Sequence, residues 1–203
     1  MGKRLLLVEG KDDQKVVESL CKTHGTEIAF EIEGGGGVER LLAQVPVRLK
    51  SSDLECLGVV LDADQDIEAR WAQLRDGLRR AGYADVPDRP ASEGTVIVFR
   101  HELGSIRFGV WLMPNNRLPG ILEDFLAFLV SPDDRMMPRV DGFLASIPEE
   151  DRAFPLPKAR IHSYLAVQRE PGKPLGLAIT CGYLNARQET VRPFLDWLRR
   201  VLA

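Results

Sequence analysis

Residues 4–8, Arg4-Leu5-Leu6-Leu7-Val8, are long or apolar at every position, a run that predicts a strand buried on both faces. Glu9-Gly10 closes it. From Lys11 to about Thr23 the period changes. Val16, Val17, Leu20 and Cys21 fall on one helical face, and acidic residues open the helix at its positive end. Residues 27–32 read as a second strand, Gly34 to Gly37 as a break, and residues 38–49 as a second helix. Cys56-Leu57-Gly58-Val59-Val60-Leu61 is a third buried strand that runs into Asp62-Ala63-Asp64-Gln65-Asp66. A helix over 67–81 follows, then a Pro- and Asp-rich loop over 82–94, then strands over 95–100 and 106–112.

Alternation of this kind predicts an α/β fold, a Rossmann-like parallel sheet flanked by helices, with additional strands. After Pro114 the pattern turns mostly helical, over residues 119–130, 133–146, 157–168 and 187–202, with Pro171-Gly172-Lys173-Pro174 as a loop. The chain therefore divides into an α/β core over 1–114 and a helical part over 115–203, expected to pack together as one compact domain. Val191, Phe194, Leu195, Trp197, Leu198 and Val201 give the last helix a wide apolar surface. That surface packs on the core or, as the alternative, forms a homodimer contact.

Composition narrows the class. Of 203 residues, 44% are hydrophobic and 28% charged, which is enough apolar material for a true core. No run of about 18 apolar residues occurs, so no membrane span is expected. The short apolar run after Lys3-Arg4 stops at a carboxylate and reads as a strand, not a secretory signal. Cys21, Cys56 and Cys181 form no CxxC pair, which argues against a disulfide framework or zinc ribbon. They read as inert apolar side chains in a cytoplasmic protein. With a net charge of −3, nucleic acid can be held only through local patches. Arg70, Arg75, Arg79 and Arg80 are candidates for one, although a solvated helix face explains them more simply.

The chemistry concentrates at strand ends. Parallel α/β sheets place function at the carboxyl ends of their strands. Glu9 ends the first strand, and Asp62 and Asp64 end the third. In an extended chain residues i and i+2 share a side, so Asp62 and Asp64 are expected to face one point that Glu9 can reach. Clustered carboxylates resist ionising together and are relieved by a hard cation such as Mg2+ or Mn2+. Asp residues after strands also cap turns and helices, the reading preferred for Asp66 and Asp12.

Val8-Glu9-Gly10-Lys11-Asp12-Asp13 followed by Val59-Val60-Leu61-Asp62-Ala63-Asp64 resembles the Toprim signature, a strand-ending Glu-Gly and then a strand-ending DxD. The signature covers about residues 4–66. A weaker likeness to a stand-alone, uncharacterised Toprim-like family, distantly similar to the OLD (overcoming lysogenization defect) nucleases, extends over nearly the whole chain. It includes Gly109 to Asn116, Leu118 to Phe125 and Pro157-Lys158-Ala159. The resemblance implies cutting or joining of a nucleic-acid backbone with Mg2+ or Mn2+. It implies that Glu9 acts in acid/base or metal roles and that Asp62 and Asp64 hold metal. It further implies Asp13 and Glu123 as metal ligands and Lys158 as a cation near the phosphate. Glu123 has a plainer reading, an acid favoured near the start of a helix, whereas Lys158 follows Pro157 at a helix start, where a cation is slightly unfavourable, a misfit that favours a functional role. His162 reads as an ordinary surface or core histidine, and Asn116 as a turn residue.

Two functions follow as expectations. The first is a metal-dependent nuclease acting on DNA or RNA. The alternative is a non-catalytic Toprim-like module that binds nucleic acid or works with a protein partner. Tyr83, Tyr164 and Tyr183 sit in no recognisable nucleophile setting, and the four glycines lack GxxxxGK[ST], which disfavours topoisomerase and nucleotide-binding readings. A backbone nest or loop near the site is the expectation for those glycines. A phosphorelay receiver places its acidic pair where Glu9-Gly10 stands, and a haloacid-dehalogenase-type phosphatase carries DxD on its first strand. Neither matches.

Overall fold

The structure is a computed structural model that describes residues 2–25, 29–34, 36–101 and 104–203. Five strands form one sheet: β1 (Lys3–Val8), β2 (Glu31–Gly34), β3 (Leu54–Asp62), β4 (Thr95–His101) and β5 (Gly104–Met113). Their order is β2-β1-β3-β5-β4, with β2, β1, β3 and β5 parallel and β4 antiparallel at one edge. The helices are α1 (Lys11–Thr23), α2 (Gly37–Arg48), α3 (Ile67–Arg80), α4 (Leu122–Ala127), α5 (Met137–Ser146), α6 (Leu156–Ala166), α7 (Leu175–Thr180) and α8 (Arg192–Leu202). The expected α/β architecture is present, a mostly parallel sheet flanked by helices and compatible with a Rossmann-like fold. β4 departs from the parallel pattern because the connection to β5 is too short for a crossover, and a short connection allows only antiparallel pairing.

Successive residues of each strand point to opposite faces, so the continuous apolar runs feed two cores. Leu5, Leu7, Leu57, Val59, Leu61, Phe108 and Val110 pack with Leu41 and Val45 of α2 and Trp71, Leu74 and Leu78 of α3. Leu6, Val8, Cys56, Val60, Trp111 and Met113 face the other way, into a core with residues of α1 and α4 to α8. The part after Pro114 thus shares a core with the sheet.

α8 shows how close that packing is. Gly58 and Gly109 pair across β3 and β5. A Cβ on Gly109 would lie 2.2 Å from Val201 Cγ2, so only a glycine lets α8 settle at this distance. Trp111 and Phe194 meet edge-on with ring centroids 5.3 Å apart, and Trp111 and Trp197 lie 5.8 Å apart. Phe194, Leu195, Trp197, Leu198 and Val201 are all buried. The apolar face of α8 therefore packs on the core, which leaves it closed to the alternative homodimer contact.

Several bounds differ from the sequence pattern. Part of the expected strand over 27–32 lies outside the described residues, and β2 is Glu31–Gly34. α4 begins only at Leu122, after Gly120 at φ 141, where the Asp124 carboxylate accepts the Ile121 N–H at 2.9 Å. α5 begins at Met137 because Asp134 Oδ1 accepts the N–H groups of Met136 and Met137, both at 2.8 Å. A 3-10 turn, Glu189–Val191, precedes α8. α7 is not legible as a helix in the sequence. Six residues give too little periodicity, and its place is set by contact with α1, where a Cβ on Gly176 would meet Lys15 O at 2.5 Å.

Candidate functional site

The strand order reverses direction between β1 and β3: β1 continues outward to β2, and β3 continues the other way to β5. The crevice at the carboxyl ends of two such strands is where open α/β sheets bind ligands. Glu9 directly follows β1, and Asp62 is the last residue of β3. Glu9 Oε1 accepts the Asp62 N–H at 2.7 Å. Asp62 Oδ1 in turn accepts the Leu122 N–H at 2.9 Å, which draws the start of α4 over the strand ends. That contact brings Glu123 into the group. Asp13, one turn into α1, accepts the Gly10 N–H at 3.0 Å through Oδ2. It is this acid that closes the start of α1; Asp12, expected to cap, stands exposed.

Asp64 reaches the site by a route that strand alternation does not foresee. Its φ is 54, so the chain has left the extended conformation and the i, i+2 argument fails there. The turn is pinned by a two-way bridge to Gly120, with N–H to O distances of 2.9 and 2.6 Å. The Asp64 carboxylate pairs with Arg70, one turn into α3. Asp66 caps α3 as expected, accepting from Glu68 N–H at 2.9 Å and Ala69 N–H at 3.0 Å.

The electrostatics record the crowding. Burial pushes Asp62 up to about 8, and the charges of Glu9, Asp13, Glu123 and Asp64 push the same way. Burial raises Asp13 to about 6 against the opposing hydrogen bonds from its own and the Gly10 N–H, with Glu123 adding repulsion. Glu9 is raised by burial, an effect its hydrogen bond from Asp62 and the charge of Arg70 only partly offset. Glu123 is 4% exposed and pairs with Lys158 Nζ at 3.1 Å. Burial lowers Lys158, but the bond and charge of Glu123, together with Asp62 and Asp12, outweigh it and leave that ammonium raised. Glu9, Asp13, Asp62, Asp64, Glu123 and Lys158 thus share one electrostatic neighbourhood at the strand ends, with Asp62, Asp64 and Lys158 on the wall of a cleft. That cleft is about 720 Å³, and its walls also include Arg70, Gln73, Ile121 and Leu156.

A family model described as protein of unknown function, DUF3226, matches residues 3–203. The chain belongs to the DUF3226 family. Searches of curated proteins and of solved structures found no match.

The donors of this DUF3226 chain are all carboxylate oxygens, the chemistry that suits Mg2+ or Mn2+. Among the described residues, no three His, Cys, Asp or Glu groups already stand in metal-holding geometry. Two of the acids are already paired, Asp64 with Arg70 and Glu123 with Lys158. Glu9 and Asp62 commit Oε1 and Oδ1 to backbone N–H groups, which leaves Oε2 and Oδ2 as the remaining oxygens. A divalent cation there would have to displace Arg70 from Asp64 or Lys158 from Glu123.

Other expectations resolve in the same structure. Arg70 belongs to the site, which sequence reasoning missed. Its signal was its position, one helical turn after the Asp66 cap that follows DxD. Of the remaining arginines, Arg75 donates to Asp88 O and Arg79 to Val86 O, bracing the loop after α3, while Arg80 is exposed at the end of the helix. Asn116 is a turn residue, at φ 59, accepting the Leu112 N–H at 2.7 Å. His162 is exposed on α6. The glycine break does lie near the site: Gly37 N–H donates to Glu9 O at 3.3 Å, while Gly35 lies outside the described residues. Burial pushes the Cys21 thiol up to about 11, in keeping with an inert side chain. Among the described residues, no helix is long and apolar enough to cross a membrane.

Proposed function

We propose that this chain is a Toprim-like enzyme that processes phosphodiester bonds of nucleic acid with Mg2+ or Mn2+ held by Glu9, Asp13, Asp62 and Asp64. One observation carries the reading. Glu9 and Asp62, at the ends of adjacent central strands, are joined by the 2.7 Å bond from the Asp62 N–H to Glu9 Oε1, and the buried acids Asp13 and Glu123 stand close enough to repel Asp62. Buried acidic clusters are costly in a fold, and they concentrate where chemistry needs them. A bound divalent cation would supply polarisation of a phosphate oxygen or of water. The chain's own groups supply the rest. Glu9, with its raised pKa and Oε2 left over, is suited to taking a proton from a nucleophile or returning one to a leaving oxygen. Lys158 is 55% exposed at its side chain, so its ammonium can follow charge that builds on a phosphate. Glu123 holds that lysine in place and is the candidate for a second metal contact.

The second reading, a non-catalytic module for nucleic acid or a protein partner, draws support from the two ion pairs. Arg70 and Lys158 neutralise part of the cluster without any metal. The deciding assay incubates the protein with labelled single- and double-stranded DNA and RNA in Mg2+, Mn2+ or EDTA, beside an Asp62→Ala/Asp64→Ala variant. Metal-dependent cutting by wild type that is lost in the variant is the expected result. Equal cutting by the variant refutes the site. No cutting under any condition, with a stoichiometric partner retained from lysate, favours the module.

A further inference from the structure

Arg70 is the most firmly held cation at the site. Its Nε donates to Asp62 O at 2.9 Å, one terminal nitrogen donates to Gln73 Oε1 at 2.9 Å, and the other pairs with Asp64. Its side chain is 10% exposed, whereas that of Asp64 is 53% exposed. The pair is therefore lopsided. The guanidinium is anchored by two partners besides Asp64, one of them the backbone of the other DxD acid. The Asp64 carboxylate has Arg70 as its one hydrogen-bond partner among the described residues, and it sits on a turn whose backbone Gly120 already fixes. If the pair opens, the carboxylate swings and the guanidinium stays.

We infer that Arg70 is an internal counter-cation that holds Asp64 while no divalent ion is bound and yields it when the ion arrives. This rests on the metal reading above and names a residue that reading does not use. Arg70 is a positioning residue. It acts through Asp64, and its charge, which also reaches Glu9, weakens the site for any cation. Two consequences follow. Removing the charge strengthens cation binding, although it removes three hydrogen bonds. Keeping a charge without the planar fork, as lysine does, leaves binding close to wild type.

The test is Mn2+ titration by calorimetry on wild type, Arg70→Gln, Arg70→Lys and Asp64→Asn, with an Arg70→Gln/Asp64→Asn double variant. Arg70→Gln is expected to bind Mn2+ about tenfold more tightly, the size of one near charge removed from a partly exposed site. Arg70→Lys should stay within about threefold of wild type. In the Asp64→Asn background the gain from Arg70→Gln should largely disappear. A purely structural arginine gives the opposite sign, so weaker or unchanged binding in Arg70→Gln overturns the inference while wild-type binding leaves the metal site standing. If wild type itself binds no Mn2+, both fall. Should Arg70→Gln fail to fold, NMR of wild-type Arg70 during Mg2+ titration decides. Terminal N–H protons that exchange faster while Nε–H stays protected support the inference, and no change in either overturns it.

Discussion

Replacing Asp62 by Asn should stabilise the metal-free protein at alkaline pH while abolishing its affinity for Mn2+. Asn keeps an oxygen for the Leu122 N–H, which Asp62 Oδ1 accepts at 2.9 Å, and removes only the charge. The Asp62 pKa is raised from 3.8 to about 8. A carboxyl raised in the fold keeps its proton, between those values, when the unfolded chain has released it. Its stabilising contribution is therefore complete below about pH 4 and is lost as pH rises through about 8. Roughly four units at about 1.4 kcal/mol each give a ceiling near 6 kcal/mol. Protons redistribute among Glu9, Asp13 and Asp62, and the new amide must find a partner, so a gain of about 2 kcal/mol is expected at pH 8.5. Urea denaturation in EDTA at pH 5, 7 and 8.5 measures this. Wild type should weaken across that series more steeply than Asp62→Asn. Adding Mn2+ at about a hundred times Kd should restore about 2.7 kcal/mol to wild type and nothing to the variant. A variant less stable than wild type at pH 8.5 would refute the reasoning, because Asp62 would then be a structural acid whose charge the fold needs.

Two further outcomes separate structure from function. Asp66→Ala removes the acceptor of the Glu68 and Ala69 N–H groups and should cost about 1 kcal/mol in denaturant, with Mn2+ affinity unchanged; a loss of Mn2+ binding would mean that Asp66 is a ligand. Gly109→Ala puts a Cβ 2.2 Å from Val201 Cγ2 and should cost about 2 kcal/mol by thermal or chemical unfolding, and an unchanged midpoint would show that α8 does not press on the sheet as described.

The fold was legible where burial is two-sided. β1 and β3 read as unbroken apolar runs because the sheet is covered by α2 and α3 on one face and by α1 and α4 to α8 on the other. Periodicity located α1 and α3 for the same reason, since each has one face to bury. It failed where tertiary contact replaces local pattern. α7 is short and held against α1 through Gly176, and the start of α4 is set by Gly120 and the Asp124 bond to Ile121, not by any apolar rhythm. The antiparallel edge strand was open in the sequence because strand direction follows from the connection to β5, not from the side chains of β4.

Strand ends could be read for Glu9 and Asp62, whereas the turn at Asp64 and its pairing with Arg70 were not legible. Glu9 and Asp62 could be placed because a strand end fixes both position and direction, and the hydrogen bond between Glu9 Oε1 and the Asp62 N–H is what adjacent parallel strands make available. Asp64 could not be placed by alternation, since a left-handed residue bridged to Gly120 obeys the turn rather than the strand. Arg70 was hidden for a related reason. Once Asp66 caps α3, the helix carries the side chain one turn onward back over the DxD turn, so the cap, the turn and the arginine form one unit. The acids of this cluster are crowded by the sheet, whereas their counter-charges arrive from helices, Arg70 from α3 and Lys158 from α6. On the metal reading proposed above, a cation entering the cleft would compete with Arg70 and Lys158 for the Asp64 and Glu123 carboxylates. That competition predicts an affinity for divalent cations tuned by Arg70 and Lys158, two residues outside the Glu-Gly and DxD motifs.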